Sequence, residues 1–406
     1  MPENPAGEKL AASQPPAPVT GGWLAAGSRR TLLGIYIAVS FLYGLCLYVY
    51  MPTLPTYVQS KSQDLAQVGV ILAQYGLWQA IVRWPLGMAA DWVGRRKPFI
   101  FAGLLIAAVA AWMTGAAQDA NGLLVGRALT GVAASTWVPM TVLFSSLFPP
   151  REAVRATSIL TATISVGRMV GTSSTGTLNG IGGYPLAFYV AAGVAAAGAL
   201  VLLLARETPH PPRRPSLQAA GRILTRRDVL LPSVLSAVGQ YATWAVPFGF
   251  LPLVADQLGA TPVEQSMFLT FNIVLVTLGG LAAAALANRI GAGRMVRVSF
   301  VLLAIGIAIG ALAGSIAVLW IAHLFIGVAL GISYPVLMGL SIREVGETER
   351  STAMGLHQAV YAAGMFAGPW LSGILADAMG LRPMLGVTAF ACLAVGTVLA
   401  GWCDDR

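Results

Sequence analysis

Three arginines lie inside long apolar runs of the sequence, where a positive charge is costly. Arg83, Arg127 and Arg168 each have apolar residues or glycine on both sides. A charge at such a depth in a membrane costs several kcal/mol unless it faces water, a partner or a ligand. The 16 Asp and Glu residues fall in the tails, between the runs or near their ends, so no embedded carboxylate can balance the arginines. This excess of positive charge predicts a site that attracts anions.

Each embedded arginine also has a structural interpretation, and so do the embedded histidines. Arg168 lies about twelve residues into its run, near the middle of a bilayer, where it binds either an anionic ligand or backbone carbonyls. Arg83 is about eight residues from the end of its run and can almost reach the interface. His323 and His357 are the embedded groups that titrate near neutral pH, as proton carriers or as hydrogen-bonded structural residues.

Membrane-spanning helices must position these side chains. The chain is 56% hydrophobic and 10% charged, with a mean hydropathy of +0.73. Apolar runs of about 20 residues recur along it, which is typical of a polytopic helical membrane protein rather than a β-barrel. We predict an all-α fold of twelve spans, at about 31–50, 67–90, 98–117, 121–147, 156–179, 184–205, 229–256, 263–287, 296–314, 316–341, 352–377 and 381–402.

The charge distribution predicts the orientation. Most Lys and Arg residues lie in the tails and in alternate loops, whereas the opposite side would carry only Lys61 and Arg382. By the positive-inside rule both termini are cytoplasmic. The net charge of +9 is therefore an orientation signal and not a nucleic-acid patch. We expect a disordered tail over 1–30, a central cytoplasmic loop over 206–228 and a cytoplasmic C-terminus over 403–406.

The two halves of the chain, 31–205 and 229–402, repeat each other at an offset of about 196 residues. The repeated positions are mostly glycines, and we expect most of them to serve helix packing. The repeats include Gly131 with Gly327, Gly167 with Gly364, Gly171 with Gly368, and Gly87, Asp91 and Gly94 with Ala284, Asn288 and Gly291.

The loop after the second span carries the most distinctive motif. Gly87 can admit another helix, Asp91 places a carboxylate at the membrane edge, and Gly94 allows a sharp turn. Arg95 and Arg96 then hold the loop in the cytoplasm. This string resembles the signature of the major facilitator superfamily of transporters. The resemblance implies two pseudo-symmetric six-helix halves, a substrate held between them near the midplane, and a gating role for the motif.

Two further strings are similar to those of proton-coupled facilitators. Arg127 with Gly131 resembles a motif that the family links to proton coupling, although an arginine that snorkels to the outer interface is the alternative. The run from Gly167 to Gly176 stands where antiporters carry a signature, but Thr172 replaces its proline. That departure weakens the interpretation as a drug/proton antiporter.

In the facilitator fold, spans 1, 4, 7 and 10 line the cavity with help from spans 2, 5, 8 and 11. Polar and aromatic residues in these spans are the candidates for substrate contact, because polar groups are costly against lipid. The cluster Gln240, Tyr241 and Trp244 is the strongest of them. The other candidates are Arg168, Arg83, Tyr43, Trp137, Asn272, Tyr334, Gln358 and Tyr361.

The sequence thus predicts a monomeric secondary transporter of the bacterial inner membrane. We expect it to export a small organic compound, anionic or zwitterionic if the arginines bind it, in exchange for protons. Uptake or exchange of an organic anion is the alternative. A membrane-embedded enzyme or a non-transporting sensor lacks support, since no Ser/His/Asp cluster and no appended signalling domain is found. We expect no cofactor, no metal site and no nucleic-acid partner, and no nucleotide-binding Gly-x-x-x-x-Gly-Lys string occurs.

Overall fold

The computed structural model describes residues 26–149, 152–207, 223, 225–346 and 350–401. All of its regular elements in these ranges are helical. Most of the predicted N-terminal tail and central loop, and all of the predicted C-terminus over 403–406, lie outside the described residues. Eleven described helices are long and apolar enough to cross a membrane, and one of them holds two spans. The predicted all-α architecture of twelve spans is thereby confirmed.

The spans keep the numbers 1 to 12 of the sequence. In the first half, their helices are Ala26–Tyr48 with Leu54–Gln59, Leu65–Val93, Lys97–Ala116, Ala120–Ala134 with Trp137–Ser145, and Ala153–Leu203 for spans 5 and 6 together. In the second half they are Arg227–Ala245 with Leu251–Gln257, Pro262–Ile290, Ala292–Ala311, Ile316–Arg343, Arg350–Met379 and Leu381–Gly401.

Breaks in the helices are the main departure from the predicted spans. Span 1 continues beyond its predicted end as a second short helix to Gln59, and span 7 is interrupted by a π-helical turn over Val246–Phe250. Prolines account for both breaks, because Pro52, Pro55 and Pro252 stand at the first positions of new helical segments, where a missing N–H costs nothing. Gly183, at φ 70°, separates span 5 from span 6.

Glycines bring the helices of each half together in the same way. A Cβ at Gly167 of span 5 would lie 2.4 Å from the carbonyl oxygen of Phe41 in span 1. A Cβ at Gly364 of span 11 would lie 2.1 Å from the carbonyl oxygen of Ala237 in span 7. Both positions therefore require a residue without a side chain, and the packing role expected for these repeated glycines is confirmed.

The two halves meet along spans 2 and 11 and along spans 5 and 8. A Cβ at Gly69 would lie 2.4 Å from the carbonyl oxygen of Pro369, and one at Gly176 would lie 2.4 Å from Cα of Val263. These contacts lie at the membrane side away from the Gly94 turn. We call this the opposite side, and we call the side of the Gly94 turn the basic side.

Hydrogen bonds also join the halves at the opposite side. The Thr56 hydroxyl donates to Gln265 Oε1 at 3.1 Å, and the Thr270 hydroxyl donates to that of Thr172 at 2.8 Å. The Leu65 amide donates to the Asp377 carboxylate at 3.3 Å. On the basic side of Arg83, a Cβ at Gly87 would meet only Val138 of its own half within 4 Å. The described structure is thus closed at the opposite side.

Candidate functional site

The three arginines predicted from the sequence are connected to the Tyr75 ring of span 2, Arg127 by direct contact. Arg127 is 2% exposed, and its guanidinium carbon lies 4.4 Å from the centre of the Tyr75 ring. Arg83 lies eight residues beyond Tyr75 on the same face of span 2, and Arg168 is linked to Tyr75 through the ring contacts described below. We call Tyr75 and these three residues the arginine cluster.

Arg168 is bound to the first span of its own half. Its terminal nitrogen donates a hydrogen bond to the Tyr48 hydroxyl, and its guanidinium carbon lies 4.1 Å from the centre of that ring. The Nε atom is buried without a hydrogen-bond partner. The hydrogen-bond partner of Arg168 is thus a side-chain hydroxyl and not the backbone carbonyl of the alternative interpretation.

Arg83 reaches across to the second half rather than to the membrane interface. One terminal nitrogen donates to Gln358 Oε1 of span 11 at 2.8 Å, and the other donates to Gln79 Oε1 at 2.6 Å. The guanidinium carbon lies 5.9 Å from the centre of the Tyr361 ring, which in turn lies 5.8 Å from that of Tyr334. Arg83 therefore joins the two halves at the level of the cluster.

A row of four aromatic rings connects Arg127 with Arg168 and passes through both halves. From Tyr75 the row continues to Trp244 at 4.7 Å, then to Phe248 at 5.0 Å, and from Phe248 to Tyr48 at 6.0 Å between ring centres. All four side chains are less than a tenth exposed. We call them the aromatic row; it closes the space around the arginines with rings from spans 1, 2 and 7.

No negative charge balances this site within the part of the chain that the structure describes. Its buried polar side chains include hydroxyls, amides, two histidines and Arg127, but no aspartate or glutamate. The salt bridges found among the described residues all lie in or beside loops on the basic side. A guanidinium stays charged in proteins, so the cluster is a centre of uncompensated positive charge.

The loop of the Gly87–Arg96 motif is held by charges of its own half. Asp91 forms a salt bridge of 2.7 Å with Arg96, while Arg95 is exposed. Gly94, at φ 70°, ends span 2 in the left-handed turn expected for it. The close approach of another helix expected at Gly87 is not found, because only the Val138 side chain, at 3.4 Å, lies within 4 Å of a Cβ there.

A carboxylate that the sequence did not single out fastens this loop. Glu207, just beyond span 6, accepts hydrogen bonds from the backbone amides of Arg96 at 2.6 Å and Lys97 at 2.9 Å. Its charge therefore sits on the N-terminal end of span 3, where the helix dipole favours an anion. The Lys97 ammonium donates to the carbonyl of Ala205 at 2.6 Å.

Comparisons with known proteins agree with this architecture. The family model described as Major Facilitator Superfamily matches residues 36–238 and 233–405. The chain belongs to the major facilitator superfamily. Accordingly it is a multi-pass membrane transporter of small molecules and not an enzyme.

The curated relatives of this facilitator include efflux proteins. The multidrug resistance protein 2 of Bacillus subtilis is 22% identical over 86% of this chain and 90% of its own length. A chloramphenicol efflux pump of Mycobacterium tuberculosis is 25% identical over 88% of this chain and 89% of its own length. A bacterial homologue of the human lysosomal transporter Spinster has a TM-score of 0.80 at 15% identity, over 94% of this chain and 98% of that one. That structural likeness shows the shared fold.

Several predicted contact residues of this facilitator make hydrogen bonds or packing contacts that bridge helices. The Tyr43 hydroxyl donates to the carbonyl of Ala134 at 2.9 Å, and Asn272 donates to the carbonyl of His323 at 3.4 Å. Tyr241 shares a hydrogen bond of 2.9 Å with Ser372, and Trp137 packs half-buried against the core. Their described contacts tie spans together within one half.

The remaining candidates of the second half lie nearer to the cluster. Trp244 belongs to the aromatic row and donates from Nε1 to Gln240 Oε1 at 3.2 Å. Gln240 and Tyr334 line a small cavity between spans 7 and 10. Gln358 and Tyr361 contact Arg83. The second half thus offers amides and rings to a site whose charges come from the first half.

Both embedded histidines of this facilitator are buried with one ring nitrogen unpartnered. His357 Nδ1 shares a hydrogen bond of 3.1 Å with the Ser233 hydroxyl, and its Nε2 has no partner. His323 stacks on Phe268 with ring centres 5.4 Å apart, and its Nδ1 has no partner. His323 also occupies the repeat position of Arg127, 196 residues further on. Either imidazole has a free nitrogen for a proton.

Residues missed from the sequence are chiefly aromatic. Tyr48 and Phe248 lie in apolar runs, where the sequence predicts ordinary core residues, and no neighbouring residue in the sequence distinguishes them. Span 2 did carry a signal, because Tyr75, Gln79 and Arg83 follow each other at intervals of four residues. That spacing places them on one helix face, which turns out to face the second half.

Proposed function

We propose that this facilitator exports a small organic compound across a bacterial inner membrane by alternating access, in exchange for protons, and that it acts as a monomer. The observation that carries the proposal is the arginine cluster, enclosed by both halves and closed off at the opposite side. Such a position suits a substrate site reached in turn from each side. The names of two relatives, a multidrug resistance protein and a chloramphenicol efflux pump, support the outward direction.

The orientation within the proposal follows from the basic residues. Arg95, Arg155 and Arg294 are exposed at or near loops of the basic side, and the positive-inside rule assigns such loops to the cytoplasm. Both termini then face the cytoplasm. The Gly87–Arg96 motif becomes a cytoplasmic gate between spans 2 and 11.

Uptake or exchange of an organic anion is the second candidate function. The uncompensated charge of the arginine cluster favours it, because that charge suits an anion whichever way it travels. Whole-cell accumulation separates the two candidates. Cells that express the protein should accumulate less chloramphenicol or 2-naphthoate than empty-vector cells, and an uncoupler should remove the difference. Higher accumulation in expressing cells would replace export by uptake.

Proton coupling is proposed to run through Arg127, His323 and His357. In inside-out vesicles with a proton gradient, an exported compound should release protons, which a pH-sensitive dye reports. We expect His323→Gln or His357→Gln to remove at least half of this release, because glutamine keeps the polarity but cannot carry a proton. His210→Gln, in the central loop predicted over 206–228 and outside the described residues, is the matched control and should leave the signal unchanged. Full release in both embedded variants would exclude the histidines as carriers.

A further inference from the structure

The unsatisfied donors of the arginine cluster point to the kind of ligand that it takes. The Nε atoms of Arg83, Arg127 and Arg168 are all buried without a hydrogen-bond partner, as is Nη1 of Arg127. A buried donor left unpaired costs roughly 1–3 kcal/mol, and more when it is charged. Unpaired charged donors on three arginines, with no carboxylate nearby, favour an oxyanion as the ligand of whichever arginine it can reach.

The arginines differ in how well a ligand can reach them. Arg127 packs against the Tyr75 ring and is almost fully buried. Its positive charge can therefore attract an anion electrostatically, but its side chain cannot contact the ligand. The terminal nitrogens of Arg83 are already bound to two amide oxygens. Arg168 is half-buried, and it donates a hydrogen bond to a neutral hydroxyl, that of Tyr48. Arg168 is therefore the arginine best placed to exchange its partner for an anion.

The surface next to Arg168 is aromatic. The Tyr48 ring lies under its guanidinium, and Phe248 and Trp244 of the second half follow in the aromatic row. In the described state these rings pack on one another and are less than a tenth exposed. A flat π-system that enters beside Tyr48 when the halves separate would replace ring–ring contacts of the row with contacts of the same offset or edge-on kind, which contribute about 0.5–1.5 kcal/mol per pair beyond the area buried. A saturated ring of the same size lacks this term.

We propose that the site takes planar aromatic anions, in which one carboxylate or similar oxyanion is attached to an aromatic ring. The oxyanion binds Arg168 in place of the Tyr48 hydroxyl, and the ring packs against the aromatic row. A carboxylate carries the negative charge that the Tyr48 hydroxyl lacks and can accept two parallel N–H···O bonds from the guanidinium, so the exchange is favourable. The inference rests on the proposed function only in treating the arginine cluster as the transport site.

Four compounds of similar shape separate the two parts of the proposal in binding titrations on the purified protein. They are 2-naphthoate, its neutral amide 2-naphthamide, the saturated decahydro-2-naphthoate, and the cationic 2-naphthyltrimethylammonium. We expect 2-naphthoate to bind at least about tenfold more tightly than each of the others, which corresponds to about 1.4 kcal/mol. Equal or tighter binding of the amide or of the cation would overturn the anion site, and equal binding of the saturated acid would overturn the aromatic preference.

Variants assign the charge preference to Arg168. Arg168→Gln should bring the affinities for 2-naphthoate and 2-naphthamide to within about twofold, and Arg168→Lys should restore only part of the preference because it lacks the planar fork. Tyr48→Phe keeps the ring and frees Arg168, so its affinity for 2-naphthoate should be equal or higher. Arg294→Gln, an exposed position on the basic side, should behave as wild type.

Melting temperatures separate a binding role from a structural one. A destabilised Arg168→Gln protein with an unchanged preference would overturn the assignment to Arg168. If neither Arg168 variant folds, the Tyr48→Phe variant is the deciding test. A tenfold loss of its affinity for 2-naphthoate would contradict the proposal that the oxyanion replaces the Tyr48 hydroxyl at Arg168. These titrations need neither a gradient nor a direction. If export is not observed, the binding titrations still test the anion preference. If the anion preference is not observed, the proposal of export is unaffected.

Discussion

Leucine in place of Gly76 should abolish transport without removing the protein from the membrane. A Cβ at this position of span 2 would lie 2.4 Å from the carbonyl carbon of Met365 and from the amide nitrogen of Phe366 in span 11. Backbone atoms of a packed helix cannot move aside as a flexible side chain would. The halves therefore could not close at the opposite side, and we expect less than about a tenth of the wild-type flux in vesicles.

A glycine with free space around it provides the control. Gly193 of span 6 is exposed, and nothing lies within 4 Å of a Cβ there, so Gly193→Leu should transport at the wild-type rate. Gly69→Leu should repeat the loss, because it faces the backbone of Pro369 and Gly373 in the same way. Wild-type flux in both Gly69→Leu and Gly76→Leu would mean that the closure seen here is not a required state.

Neutralising Asp91 should be the next most damaging change. Asp91→Asn keeps the size of the side chain but removes the charge that pairs with Arg96 at 2.7 Å. We propose that this charge also holds span 2 to the start of span 11 when the basic side closes, by acting on the helix N-terminus. Transport should fall at least tenfold while the amount of protein in the membrane, measured by immunoblot, stays constant.

The repeat supplies a matched position for this experiment. Asn288 occupies the place of Asp91 in the second half and carries no charge. Asn288→Ala should therefore change transport little. Normal transport by Asp91→Asn would remove the gating claim, and an equal loss in Asn288→Ala would reduce it to a general effect of disturbing either loop.

The fold could be predicted from the sequence because each span is a separate, long apolar run. The Gly94 turn and the repeated glycines were also predictable, since only glycine fits a left-handed turn or a helix crossing of this closeness. The breaks in spans 1 and 7 were missed, although Pro52 and Pro252 mark them. A proline in an apolar run can kink, end or restart a helix, and the choice depends on neighbouring helices.

The candidate site was predictable in its charges but not in its rings. Arg83, Arg127 and Arg168 stand out because any embedded charge is exceptional. Tyr48 and Phe248 do not stand out, because aromatic residues are common in the apolar core of a protein. The contact between Tyr48 and Phe248 depends on how closely span 1 of the first half approaches span 7 of the second half. A single sequence does not give the distance between the two halves. Glu207 was missed for the same reason, since its partners lie 110 and 111 residues away.

The central claim, that the two halves open and close around the arginine cluster, is tested most directly by a distance across the opposite side. Gln63 and Gln257 are exposed there, one in each half, and can carry spin labels once the three cysteines have been replaced. We predict two distance populations in the wild type, the shorter one with the halves closed as described here, and a shift between them when 2-naphthoate is added or the pH is changed. Gly76→Leu should retain only the longer distance. A single distance that neither ligand, pH nor Gly76→Leu alters would contradict alternating access in this protein.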